Sequence, residues 1–306
     1  MANELLYGSG EASALFDASR VTTLFLETIA DRDYSLMAHP AMMYLGDAAG
    51  GMSSVSSIPI VNLADDEFAS KTEVEALTPS DITTDLPTIT VARYGLERDL
   101  ADFAASLDGT GALDVVGLAD ALVTAANLTM LTLLNTCVGT ITAIKGTSGA
   151  TMTHATMLEA KQALRTARVG GPYLCLLHPK QFNEWETDFH SLGGAVQFKQ
   201  GQATEMSRLT GGSYVGTWDN VDVYISTKVV TDGTDHIGGI WGMNTIGWRS
   251  LSVKPQPGRI VLADAGFCVV EAYRQPLSAK TSIVGNLYAG IGLLQTAGGC
   301  NLRSVD

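Results

Sequence analysis

No proline interrupts the apolar stretch from Ala112 to Thr136, which reads ALDVVGLADALVTAANLTMLTLLNT. At about 1.5 Å per residue it supports a rod roughly 37 Å long. Helices in globular proteins average about 11–12 residues, so a helix of twice that length has to be held along its sides. Val115, Ala119, Leu122, Ala126, Met130, Leu133 and Cys137 recur at three- and four-residue steps, the spacing of one helical face. Leu118, Leu128, Leu131 and Leu134 widen the apolar surface beyond one stripe, which predicts cover on more than one side. Just upstream, LPTITVARYG alternates Ile89, Val91 and Tyr94 against Thr88, Thr90 and Arg93, the period of a half-buried strand. A short amphipathic segment connects the two. A long rod beside a strand is a strut, which points to load-bearing rather than turnover.

The chain has 306 residues, enough to bury a sizeable core and to split into two domains. Its net charge of −13 is unevenly spread. Residues 1–100 hold 16 acidic and 5 basic side chains, a net of −11; residues 101–306 hold 16 and 14, a net of −2. Such a balance repels nucleic acid at long range and argues against a nucleic-acid reader. The acids of the first part must face solvent or meet arginines of the second, such as Arg165, Arg168, Arg249 or Arg259. Cys137, Cys175, Cys268 and Cys300 are widely spaced in apolar contexts, as expected of reduced core thiols. The N-terminus lacks the basic start and apolar run of a signal peptide, and SIVGNLYAGIGLL is too short and glycine-broken to span a bilayer, so no membrane partner is expected.

Residues 1–50 read as an arm with a weak helix around Val21–Ala30. Two β-prone runs, SSVSSIPIVN and LPTITVARYG, flank a polar, acidic excursion and predict a long hairpin with an irregular tip. A lone two-stranded ribbon is marginal in water, and this one has few large apolar residues, so its missing surface is expected on another subunit. Beyond the rod, THATMLEAKQALRTARV predicts a helix capped by Thr153, packed through Met157, Ala160, Leu164 and Ala167 and stopped at Gly170–Gly171. PYLCLLH reads as a buried strand, and Pro179 opens a helix with Phe182, Trp185 and Phe189 inward. Residues 191–212 are glycine-rich and polar, and the remainder is mostly strands. Trp218–Asp219–Asn220 and Asp232–Gly233 mark turns between them.

Catalytic signatures are missing. The sequence has no phosphate loop, dinucleotide fingerprint, zinc-protease helix or nucleophile elbow, and Ser213 in TGGSYVG is one residue out of register for the last. His39, His154, His178, His190 and His236 form no cluster along the chain, and capping or turn roles are expected of His39 and His178. Asp65, Asp66 and Glu67, and separately Asp232 and Asp235, lack the alternating ligands of a calcium loop and read as solvated acidic faces. Lys71 is expected to pair weakly with Glu73 or Glu75. No cofactor, metal or catalytic residue is expected.

The order of these elements resembles the major capsid proteins of tailed phages, whose shared α+β architecture is the Johnson, or Hong Kong ninety-seven, fold. ITVARYGLERDLADF leading into GLADALVTAANLTMLTLLNTCVGT looks like the peripheral-domain strand, connecting segment and spine helix. GGPYLCLLHPKQFNEWE looks like the axial-domain strand and helix, and FCVVEAYRQ with KTSIVGNLYAGIGLL like the closing peripheral and final axial strands. The resemblance implies an N-terminal arm over 1–50, an E-loop over 51–86, a peripheral domain with spine helix over 87–140, and an axial domain over 141–262. A closing peripheral strand over 263–279 and an axial C-terminal strand over 280–306 complete it. It implies self-assembly through pentamers and hexamers into an icosahedral virion shell that encloses double-stranded DNA without specific binding. Assembly would occur in the host cytoplasm with a separate scaffolding protein, a portal and, in some relatives, a cement protein. Asp65, Asp66, Glu67, Lys71, Glu73 and Glu75 would then be E-loop contacts between subunits. An encapsulin-like compartment of the same fold, an α/β enzyme using scattered carboxylates and a non-capsid phage structural or adhesion protein are the competing readings.

Overall fold

The structure, a computed structural model, describes residues 35–37, 39–47, 55–57, 60–62, 83–102, 115–191, 198–199, 214–252, 259–264 and 268–306. Strand β1 (Met42–Asp47) is followed by the short strands β2 (Val55–Ser57), β3 (Ile60–Asn62), β4 (Thr83–Asp85) and β5 (Thr88–Thr90), then by β6 (Ala92–Ala101). The expected rod is helix α1 (Val115–Gly139). After it come β7 (Ile144–Lys145), α2 (His154–Thr166), β8 (Tyr173–Leu177), α3 (Pro179–Ser191), β9 (Phe198–Lys199), β10 (Tyr214–Trp218) and β11 (Val221–Ile225). The chain closes through β12 (Val230–Thr231), β13 (Asp235–Trp241), β14 (Ile246–Ser250), β15 (Ile260–Asp264), β16 (Cys268–Gln275), β17 (Lys280–Leu293) and β18 (Gly299–Val305).

Two sheets organise these elements. The first runs β1-β14-β17-β16-β15, with β6 also paired to β17; the second runs β7-β18-β13-β8-β11-β10-β9, with β12 on β13. Helix α1 packs on β17 of the first sheet and also meets β13 of the second, so it touches both sheets. This position explains an apolar run, Ala121–Gly139, that by length and composition alone could cross a bilayer. Its outward polar positions keep their hydroxyls engaged: Thr129, Thr132 and Thr136 each donate to the carbonyl four residues back, at 2.7–2.8 Å.

Strand β8 shows why a continuous apolar run was needed. Leu174 and Leu176 join the core around α1, whereas Tyr173, Cys175 and Leu177 join the core under α2 and α3. With side chains alternating between faces, a strand covered on both sides must be apolar at every position. Thr153 caps α2 by accepting from Thr156 N–H, and Phe182, Trp185 and Phe189 of α3 point inward, as expected. The turns also fall as expected, with Asp219, Asn220 and Gly233 at positive φ.

Several local expectations are corrected. The segment Leu96–Ala101, expected as a connector, continues β6, because β17 offers a partner for each of its residues down to Ala101 opposite Lys280. The expected strand from Leu86 instead breaks at Val91 into β5 and β6. Helix α2 stops before Gly170, where Arg168 takes a left-handed φ of 55°, and Ala167 is exposed. Lys161 occupies the buried face in its stead, its ammonium held by the carbonyl and carboxylate of Asp219 and lying over the Trp218 ring. Asp235 is not on a solvated face: it is fully buried and accepts Gly149 N–H at 2.7 Å, while Asp232 accepts from Thr234 and Asp235 N–H within the turn. Sheet membership also departs from the boundaries expected at 262 and 280, since β14, β15 and β17 all lie in the first sheet. The reason is β17 itself, fourteen residues long, which pairs β6 and β16 along its first part and β14 along its last.

Candidate functional site

The hairpin is present at its root. Val55–Ser57 pairs antiparallel with Thr88–Thr90, and Ile60–Asn62 with Thr83–Asp85. The expected contact residues Asp65, Asp66, Glu67, Lys71, Glu73 and Glu75 lie outside the described residues. At the root, period two governs burial: Ile89 is 1 % exposed and Val91 is buried, while Thr88 and Thr90 face solvent. Ile89 sits on β17 at Gly292, so the hairpin is fastened to the middle of the first sheet.

Along α1, Ala119, Leu122 and Met130 of the predicted face are buried, Ala126 and Leu133 are half-buried, and Val115 falls within the helix. The deepest positions lie beside that face, at Val123, Leu134 and Val138, with Asn127 and Asn135 also enclosed. The buried arc is broader than the periodic stripe and displaced from it, because α1 touches β17 of the first sheet and β13 of the second. Leu128 lies outside that arc and stays exposed. Between α1 and the first sheet, a half-open cavity of about 420 Å³ is lined by Tyr94, Leu122, Ala125, Ala126, Gly285 and Leu287, among others.

The segment before β1 is tied to both sheets. Met37 carbonyl accepts from the Trp248 indole at 3.2 Å, and Tyr44 hydroxyl meets Ser250 at 2.9 Å. On the other side, His39 Nε2 lies 2.9 Å from Asp222. Because Ala41 N–H donates to His39 Nδ1, the proton resides on Nε2 and is given to the carboxylate. Burial alone would raise the Asp222 carboxyl, but hydrogen bonds from His39 and Thr217 outweigh it and hold its pKa below the ordinary value. This His–Asp pair resembles part of a catalytic triad, yet both ring nitrogens are spent on structure, leaving no lone pair to activate a nucleophile.

The expectation that histidines do not come together fails at one place. His178 and His236 stack with ring centroids 3.6 Å apart, and His236 Nε2 lies 3.0 Å from Asp306. His178 also accepts Lys180 N–H at the start of α3, the capping role expected of it. Burial first, then the neighbouring His236, lowers the His178 pKa. Separations of 58 residues in sequence carried no signal of this pair. Among the described residues no three His, Cys, Asp or Glu side chains converge on a metal position. All four cysteines are buried and none forms a disulfide, and burial pushes the Cys137 pKa up to about 12. The arginines expected to await acidic partners are largely engaged: Arg259 binds Glu271 at 2.9 Å, Arg165 lies 3.9 Å from Asp219, and Arg249 is buried against the Asp47 carbonyl.

No protein-family profile matches the sequence, and no curated protein does. Solved structures match over most of their length at low identity. The capsid of Ralstonia phage GP4 superposes with a TM-score of 0.63 at 11% identity, covering 90% of this chain and 91% of that one. The capsid of cyanophage Pam1 gives 0.59 at 10%, covering 87% and 91%. The SrpI encapsulin of Synechococcus elongatus gives 0.60 at 13%, covering 85% and 84%. The chain therefore has the α+β fold of phage capsid subunits, which that encapsulin subunit shares.

Proposed function

We propose that this chain is the major capsid protein of a tailed phage, assembling through pentamers and hexamers into an icosahedral virion shell around double-stranded DNA. The observation that carries the reading is the match to phage capsid subunits along about nine-tenths of both chains. The physical argument agrees with it. Among the described residues of the hairpin, Ile89 is buried against the sheet, and the hairpin has few large apolar residues in its sequence for a core of its own, so its surface is completed by another copy. On this reading residues 51–86 are the E-loop, α1 is the spine, and Asp65, Asp66, Glu67, Lys71, Glu73 and Glu75 contact the neighbouring subunit. The role is structural, with no catalysis. A scaffolding protein and a portal take part in assembly in the host cytoplasm, and a cement protein is compatible with it. The acidic balance suits a wall that encloses DNA without adhering to it.

The encapsulin match supports a second reading, a protein-storing compartment of the same fold. Negative-stain microscopy of purified protein tests both: closed shells or hexamer sheets are expected, and monodisperse small particles would overturn both. Shells recovered from cells that protect DNA from nuclease favour the capsid; shells filled with protein favour the compartment. Deleting residues 65–79 is expected to leave a cooperatively folding subunit and abolish regular shells.

A further inference from the structure

We infer that Gly290 and Gly292 form a seat on β17 that sets the angle at which the hairpin leaves the sheet, and that this angle controls assembly geometry. The assembly half of the inference rests on the shell reading above; the seat itself does not.

The two glycines stand one residue apart on β17, so their missing side chains open the same face of the strand. Strand β5 crosses over that face. A Cβ at Gly290 would stand 2.8 Å from the Thr90 carbonyl carbon, nearer still to its oxygen, and 3.1 Å from Val91 nitrogen. A Cβ at Gly292 would stand 2.8 Å from Ile89 Cγ1 and 3.5 Å from the Thr88 carbonyl oxygen. Neither glycine has a positive φ, so backbone conformation does not demand them. What demands them is close approach: backbone on backbone at Gly290, and the Ile89 side chain pressed into the notch at Gly292. The chain changes direction at the same point, since Val91 separates β5, paired within the hairpin, from β6, paired within the sheet. Gly285, on the same strand, has its nearest atom, on Leu122, at an ordinary 3.5 Å, so β17 does not need glycine everywhere. The two close approaches coincide with the crossing of the hairpin.

The two contacts differ in kind, and the difference makes the inference testable. To regain ordinary spacing of 3.5–4.0 Å, β5 must rise by about 1 Å over an alanine at either site. At Gly292 the obstacle is a side chain, so shortening Ile89 makes room. At Gly290 it is the peptide of Thr90, which no side-chain change can move.

Spin labels at Leu86→Cys, on the exposed hairpin root, and Leu277→Cys, on the exposed turn between β16 and β17, report the hairpin angle on the full-length subunit by pulsed electron resonance. Gly292→Ala is expected to shift or broaden the distance distribution by about 1 Å or more, and Gly292→Ala with Ile89→Ala to return it toward the parent. Gly290→Ala is expected to shift it with no rescue by Ile89→Ala. Where the parent forms shells, Gly292→Ala is expected to give misshapen or open assemblies, with regular ones restored in the double variant. A distribution unchanged by both glycine substitutions would overturn the seat. An altered angle with normal shells would overturn its control of assembly. Should either glycine variant fail to fold, Ile89→Ala alone must broaden the distribution, and a parent-like width refutes the inference. A parent that forms no shells counts against the shell reading and leaves the distance measurement to decide the seat.

Discussion

The two faces of the second sheet and of the first are packed by opposite means. Under α2 and α3, Trp185, Trp218, Phe182, Phe189 and Tyr173 fill the space against the second sheet. Trp185 and Trp218 meet edge-on at 5.7 Å, and His154 sits against both Trp218 and Phe189. Where α1 meets the first sheet, a cavity of about 420 Å³ remains, lined by Ala125, Ala126 and Gly285 beside Leu122, Leu287 and Tyr94. Large interlocked rings admit one arrangement, whereas a cavity beside a helix leaves its neighbours room to shift. The contrast predicts a fixed block in the aromatic region and, at the cavity beside α1, a more adjustable joint.

The sharpest test of this contrast is Trp185→Ala. It removes the ring at the centre of the aromatic block and its indole hydrogen bond to His154, and is expected to cost about 3–5 kcal/mol in denaturant unfolding. A loss under 1 kcal/mol would show that the block is not what holds the subunit together. Next in size, Leu134→Ala is expected to cost about 2–5 kcal/mol, because Leu134 is fully buried in the core around α1. Half-buried Leu133 belongs to the face read from periodicity, and its truncation should cost clearly less. Equal losses would mean that the buried arc is centred on the periodic stripe after all.

Glycine replacements separate the regions more finely. A Cβ at Gly238 in the second sheet would meet the Leu176 carbonyl oxygen at 2.7 Å, so Gly238→Ala should destabilise by about 1–3 kcal/mol. Gly285 borders the cavity, where an added Cβ would make ordinary contact with Leu122 at 3.5 Å, and Gly285→Ala should be neutral or stabilise by about 0.4–1 kcal/mol through the unfolded chain. The reverse order of melting temperatures would abolish the distinction between block and joint.

The smallest expected effect is on pH dependence, and it belongs to the second-sheet region. Burial lowers the pKa of His154, and burial with the adjacent His236 lowers that of His178. Free histidine titrates near about 6.5. Below that value the unfolded chain takes up protons that the folded one does not, so stability declines as pH falls from about 6.5 toward the lowered folded values. His178→Asn should flatten that decline in melting curves collected between pH 7.5 and 5, and an unchanged slope would remove His178 from the account.

These tests also show where reading the chain in one dimension succeeds. The rod, the capped helix α2, the proline-led helix α3, the doubly buried strand β8 and the turns at Asp219–Asn220 and Gly233 are each specified within a few residues. Their spacing, caps and turn chemistry act locally, and the structure agrees with them. The hairpin was legible from two β-prone runs around a polar excursion, and its root is paired accordingly.

What the sequence by itself determined is therefore the set of local elements and which of their faces is apolar. Tertiary structure alone decided which sheet receives β14, β15 and β17, because strand pairing joins residues far apart in the chain. It decided that the buried arc of α1 is displaced from its periodic stripe, that Lys161 and Asp235 are enclosed, and that His178 stacks on His236. It decided, too, that Gly290 and Gly292 carry the crossing strand while Gly285 borders a void. Nothing local distinguishes those glycines, since all three avoid positive φ; the difference is set by which strand or helix arrives above each one.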